Sequence, residues 1–238
     1  MSAKAACFIY PPELFGYSAV YLIVRMTLLS SPVKVRNYDA SRRRLKAEQR
    51  RHLVLDAAQM LFFSQGYAAT TVTGIAEGAG VSPETVYKGF GGKPGLVREL
   101  RAHALLGAGP VPAENRSDQL RDLADPRAVV RGWAKLAGEV APRVAPILGL
   151  VREAALLDPT MRALADDLDA DRLRRMRANA RFLADADHLR PGVSRTQATD
   201  VLFAVSSPEM YDLLVTRRGW SVRRYTGFVA TTIENALL

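Results

Sequence analysis

The sequence predicts an all-α protein, and three observations carry that prediction. Helix-starting pairs recur along the chain: Asp125-Pro126, Asp158-Pro159 and Ser207-Pro208 each put a side-chain acceptor at an N-cap and a proline in the first turn. Ser194 and Ser221 offer two further caps. Apolar residues repeat at helical spacing, as Val54, Leu55, Ala58, Leu61 and Phe62 do, and no stretch shows the apolar and polar alternation of a half-buried strand. A chain of 238 residues is long enough for one small domain and one larger one, each with its own core.

The amino terminus stands apart from this pattern. Residues 1–31 are apolar and aromatic, and the run from Phe15 to Val24 is too short to span a bilayer before Arg25 interrupts it. Lys4 alone makes a poor signal n-region. Residues 1–40 therefore read as a disordered or wrongly assigned extension, with Met26 as the expected start and a membrane-surface anchor as the alternative. Its basic arm begins near residue 34. The chain carries a net charge of +9, and the excess is concentrated from Pro32 to His52, where eight basic residues face Asp39 and Glu48 for a net of +6. Such a tract suits phosphate or minor-groove contact, the alternative being a solvated disordered arm. Arg44 and Arg51 within it are candidate DNA contacts. The lone Cys7 excludes an intramolecular disulfide and a cysteine-rich zinc site, consistent with a reducing cytoplasm.

A helix is predicted over Leu45 to Gln65, turned by Gly66-Tyr67. Residues Ile75 to Tyr87 then have the spacing of a helix-turn-helix. Thr71 caps the first helix, Ile75, Ala76 and Ala79 form its inner face, and Gly80 closes it in the left-handed conformation. Val81 fills the angle, and Ser82-Pro83 restarts the chain as N-cap and first helical residue. The small Ala76 and Ala79 allow close approach to Val86, which leaves the outer face of the second helix free to enter a major groove. Residues at the start of such a helix reach base edges. Ser82, Glu84 and Thr85 are candidates, Glu84 accepting from cytosine N4 and Thr85 touching a thymine methyl. Glu84 equally suits the positive end of its own helix. Tyr87 and Lys88 lie one turn further on. Lys93-Pro94 opens the next helix, where an ammonium and free amides together favour a phosphate. Thr71 offers a hydroxyl or amide to the DNA backbone.

These residues resemble a known family. Leu55-Asp56-Ala57-Ala58, the spacing of Phe63, Gly66 and Tyr67, Thr70-Thr71-Val72 and Tyr87-Lys88-Gly89-Phe90 together look like the DNA-binding domain of TetR-type regulators, over Val54 to Leu100. The run from Ser207 to Ser221 resembles the closing helices of a TetR subgroup. This resemblance implies a tyrosine at 87 set against a phosphate, an effector pocket in the larger half and a homodimer. Gly74 and Gly78 depart from the pattern and soften the first helix of the pair, and the glycines around Phe90 make the geometry before Lys93 hard to carry over.

Beyond a Gly- and Pro-rich break at 107–117, helices are predicted near 126–140, 142–157, 159–188, 195–205, 208–217 and 222–237. This half shows no catalytic constellation, metal spacing or cofactor motif: His52, His103 and His188 are isolated, and Asp166, Asp167, Asp169 and Asp171 balance a following arginine cluster. That cluster reads as surface salt bridging, with a second nucleic-acid patch as the alternative. Trp133, Met176 and Phe182 are named as candidates for the effector pocket, whose ligand would be a partly apolar small molecule. Val201, Leu202, Val205, Phe228, Val229, Ile233, Ala236 and Leu237 give the last helices apolar stripes suited to an intersubunit four-helix bundle, or to closing the monomer's own core. The predicted organisation is an extension over 1–40, a three-helix helix-turn-helix DNA-binding domain over 41–92, and a helical effector-binding and dimerisation domain over 93–238. The predicted protein is a cytoplasmic, dimeric repressor, released from a near-palindromic double-stranded operator by an effector. A nonspecific basic DNA-binding or membrane-surface protein and, behind it, an all-helical enzyme are the alternatives.

Overall fold

A computed structural model describes residues 35–107 and 109–238, with side chains from Ala40 onward. The expectations for an amino-terminal extension and a start at Met26 fall on residues outside the described ones. Among the described residues the chain is helical and contains no strand. Residues 44–238 form one compact unit, and the segment before it is helical from Val35.

Helix α1 (Val35–Ala69) loses helical geometry at Gly66, whose φ of 81° makes the turn that Gly66-Tyr67 predicts. It begins earlier than Leu45, and four of the ten residues from Val35 to Arg44 are arginine and one is alanine, both good helix formers. Helices α2 (Val72–Ala79), α3 (Pro83–Phe90) and α4 (Lys93–Leu106) follow. Ile75, Ala76 and Val86 are fully buried in a core with Val54, Ala58 and Phe62 of α1 and Leu96 and Val97 of α4.

Helix α5 (Ala113–Gln119) and a 3-10 turn at Leu120–Asp122 occupy a stretch that the sequence reads mainly as a break. Pro112 takes the N-cap place of α5, so the prolines and glycines end just where the helix begins. Helix α6 (Pro126–Ala155) runs without interruption where two helices are predicted. Pro142 and Pro146 lie inside it, each removing an amide donor at a cost of about 3 kcal/mol. Burial offsets that cost. Val129, Val130 and Ala134 before the prolines are sealed in one core and Ile147 and Val151 beyond them in another, with Val144 and Ala145 between the prolines divided across the two, so a break at 141 would misplace one set or the other.

Helix α7 (Pro159–Asp185) packs along α6 and α8 (Arg195–Val205). Helix α9 (Pro208–Tyr211) continues into a π-helical turn over Asp212–Arg217, and α10 (Val222–Leu237) closes on α6. The contact with α6 is close at Gly138, where an added Cβ would stand 2.0 Å from Thr226 Oγ1. The core around α1 to α4 continues through Ala104 of α4 into Ile147 and Val151 of α6 and Met161 and Leu164 of α7. A second core joins Trp133 and Val130 of α6 to Leu183, Leu202, Tyr225 and Ile233 of α7, α8 and α10.

Candidate nucleic-acid interface and cavity

The turn between α2 and α3 is built as its residues dictate. Thr71 accepts from the Gly74 amide at 3.0 Å, and a Cβ at Gly74 would stand 3.2 Å from that hydroxyl, which gives the glycine there a physical reason. Gly80 adopts φ 65° and ψ 36°, and its amide and that of Val81 return to carbonyls of α2. Ser82 accepts from the Thr85 amide at 3.3 Å, and its hydroxyl lies 3.1 Å from that of Thr85. Both helices are therefore capped at the turn, and Val86 and Ala79 are locked inside it. The outer face stays in solvent. Thr71, Ser82, Pro83, Glu84, Thr85, Tyr87 and Lys88 are exposed, Tyr87 at 58% despite being aromatic.

Two candidates behave differently from the rest. Lys93 is directed inward: Nζ donates to the Tyr67 carbonyl at 2.8 Å and lies 4.1 Å from the centre of the Tyr67 ring. Burial holds its pKa below the ordinary lysine value, against a smaller upward pull from Asp158. The Tyr67 phenol is pushed up to about 12, first by burial and then by the Asp158 carboxylate to which it donates. Asp158 in turn caps α7, accepting from the Thr160 amide at 2.8 Å. Lys93, Tyr67 and Asp158 thus tie the start of α4 to the turn after α1 and to the start of α7. Arg51 is also engaged within the chain: it donates to the Gly89 carbonyl at 3.2 Å, pairs with Glu99 at 2.6 Å and stacks over Phe90 at 4.5 Å. It holds the last turn of α3 and the middle of α4 against α1. Nothing in the spacing of the basic tract separates Arg51 from Arg44, which is 84% exposed and pairs only loosely with Glu48, at 3.6 Å.

The larger half encloses a cavity of about 180 Å³. Trp133 and Met176, two of the three residues named for an effector pocket, line it. Phe182 does not: it stacks edge-on behind Trp133, with ring centres 6.2 Å apart. The Trp133 indole donates to the Ser117 carbonyl at 3.1 Å, which fixes the ring against the wall. Helix α6 supplies a row of small and branched side chains, among them Leu136, Val140, Val144 and Leu148. Helix α7 presents Leu168, Arg172, Arg175, Met176 and Asn179 at helical spacing. The charged residues of the wall are not legible in the sequence, because they sit within an acid and arginine tract that looks like a solvated face.

Of the residues named for the subunit seam, Leu202, Val205, Val229, Ile233 and Leu237 are buried within the chain and close the second core. Val201, Phe228 and Ala236 remain partly exposed on α8 and α10. Among the described residues no group of three or more His, Cys, Asp and Glu is placed to hold a metal, and no helix is long and apolar enough to cross a membrane.

A capped helix pair with an exposed second helix, set on a helical bundle, defines a helix-turn-helix protein. Comparison with known proteins narrows the class. The model for bacterial regulatory proteins of the tetR family matches residues 54–100. The uncharacterized HTH-type transcriptional regulator YvkB of Bacillus subtilis is 39% identical over 70 residues, covering 29% of this chain and 37% of that protein. The HTH-type transcriptional regulator HbdR of Aromatoleum is 44% identical over 50 residues, or 21% of this chain and 22% of that protein. This chain therefore spans well under half the length of either relative. NalD of Pseudomonas aeruginosa, the secondary repressor of the MexAB-OprM multidrug efflux pump, shares the fold with a TM-score of 0.65 at 21% identity, over 81% of this chain and 98% of that structure. Residues 54–100 are similar to the DNA-binding domain of tetR-family regulators, and the fold across both halves is shared with regulators of known structure.

Proposed function

We propose that this protein is a cytoplasmic, dimeric transcriptional repressor that leaves a near-palindromic operator when a small molecule binds. The observation that carries the reading is the outer face of α3 and its N-cap, where Ser82, Pro83, Glu84, Thr85, Tyr87 and Lys88 are held in solvent by the capped turn. Ser82, Glu84 and Thr85 face base edges, and Pro83 sets the start of the helix. Tyr87, Lys88, Thr71 and Arg44 take phosphates. Arg51 and Lys93 serve the same interface from inside, by fixing the end of α3 and the start of α4. The reading head spans 41–92, and residues 93–238 hold the effector cavity and the dimer seam.

A single α3 reads few base pairs, so two copies related by a two-fold axis, about 34 Å apart, form the reader. The seam uses the outward stripe of α8 and α10, with Val201 and Phe228 at its centre, because their neighbours Leu202, Val205 and Val229 are already spent on the chain's own core. Effector in the cavity acts by favouring the subunit arrangement that mismatches the operator. It must bind that arrangement more tightly than the other, since an equal affinity shifts nothing.

The experiment is binding of the full chain to duplex from its own upstream region and to a scrambled duplex, across a range of salt. A preference of at least a hundredfold for the native duplex supports the reading. Equal binding to both, with the same steep salt dependence, overturns it in favour of nonspecific electrostatic binding.

A further inference from the structure

The wall of the cavity is divided by chemistry. Every charged group on it comes from α4, α5 and α7, whereas α6, α8 and α10 contribute carbon surface, broken only by the indole N–H of Trp133, which is already bonded, and by Ser206 at the end of α8. The charged group is unbalanced: Arg101, Arg172 and Arg175 face Glu114 and Asp169. Arg175 is satisfied by Asp118 and Glu114, and Arg101 leans on Asp171 at 3.9 Å. Arg172 differs from both. Among the described residues it makes no ion pair, and its planar fork of five N–H donors has one acceptor, the Phe203 carbonyl, which Nη1 meets at 2.5 Å. Its Nε is buried with no partner at all. The guanidinium is pressed 3.5 Å from the centre of the Phe203 ring, which shields it from water on that side. Burial lowers its pKa, and Asp169, on an exposed position of α7, opposes this only in part.

A guanidinium partly withdrawn from water, with its Nε buried and unpaired and no ion partner, is costly, and the cost is relieved by an anion that enters. A cation entering the same space would add to it. The remainder of the wall rewards an apolar body. We infer that the cavity takes an amphipathic anion, a slender apolar body carrying one carboxylate-type head, with Arg172 as the residue that meets the head. This rests on the cavity being the effector site, and it adds the chemical class of the effector.

The test uses the full chain carrying Trp220→Phe, so that Trp133 in the cavity wall is the remaining indole. Its fluorescence is titrated with decanoate, decanol and decylammonium below their micelle concentrations. Decanoate should bind at least tenfold more tightly than decanol, with decylammonium weakest. Arg172→Gln should weaken decanoate at least tenfold and leave decanol unchanged, which also shows that the cavity is intact. If Arg172→Gln binds neither, Arg172→Lys decides, and it should retain the preference for the anion. Equal binding of decanoate and decanol, a preference for decylammonium, no saturable signal with any probe, or a lysine variant blind to charge would each overturn the inference. Operator binding is measured on the same samples. If decanoate binds as described but the protein shows no operator preference, the regulator reading fails and the ligand class stands.

Discussion

Two lysines five residues apart show how little a residue's type says about its use. Lys88 and Tyr87 stand in solvent on α3, while Lys93 is turned onto the Tyr67 carbonyl and ring. Lys88→Ala and Tyr87→Ala should each weaken operator binding about tenfold, equivalent to roughly 1.4 kcal/mol, with an unchanged melting temperature. Lys93→Ala should lower the melting temperature as well, because it breaks a part-buried hydrogen bond and a cation–π contact. Equal melting temperatures for Lys88→Ala and Lys93→Ala would return Lys93 to the role of a plain phosphate ligand. Tyr67→Phe tests the same junction from the other side. Losing the donor to Asp158 should cost about 1 kcal/mol in urea unfolding. The sequence placed all the α3 candidates on the surface correctly because caps and a 3.6-residue period leave one face outward. It could not tell Arg51 from Arg44, since the partners of Arg51, Gly89, Phe90 and Glu99, lie about forty residues away along the chain and meet it only after folding.

At the scale of elements, α6 is where local preference and tertiary packing conflict most. Pro142 and Pro146 argue for a break, yet the helix passes through both because its two ends are buried in different cores. Pro142→Ala should therefore raise stability, by about 1–3 kcal/mol in chemical denaturation, since it restores an amide donor without altering either core. A loss of stability would mean that the ring itself packs usefully. Gly138 sits one turn earlier, against α10. Gly138→Val should lower the melting temperature by several degrees, an overpacking cost of about 2 kcal/mol, because its Cβ would collide with Thr226 and part α6 from α10. The caps were legible at the other helices, and each acts as the sequence indicates: Asp125, Asp158, Ser194, Ser207 and Ser221 all accept from amides in the first turn. Helix α5 was not legible, because a seven-residue helix between a proline cap and a 3-10 turn has too few residues to show a period.

In the whole molecule, acid should act through the junction of α1 and α4, where His103 meets His52 edge-on at 5.5 Å. Burial, and after it the His52 ring, holds the His103 pKa below the usual 6.5. The unfolded chain therefore takes up this proton before the native one does. Stability is complete above about pH 6.5 and falls as pH drops below it toward the lower native value. Melting temperatures measured from pH 7.5 to 5.5 should decline, and His103→Gln should flatten that decline. An identical slope in the variant would place the acid sensitivity elsewhere. The sequence by itself determined the class of fold, the helix-turn-helix and its exposed reading face, because those depend on period, capping and turn chemistry within a few residues of one another. Only the tertiary structure decided which basic residues are left for a partner and which brace the fold, that most of the predicted seam residues are core, and that Arg172 faces a cavity without a counter-ion. Those outcomes depend on which distant side chains arrive at the same place, and no local pattern in a helix encodes its neighbours.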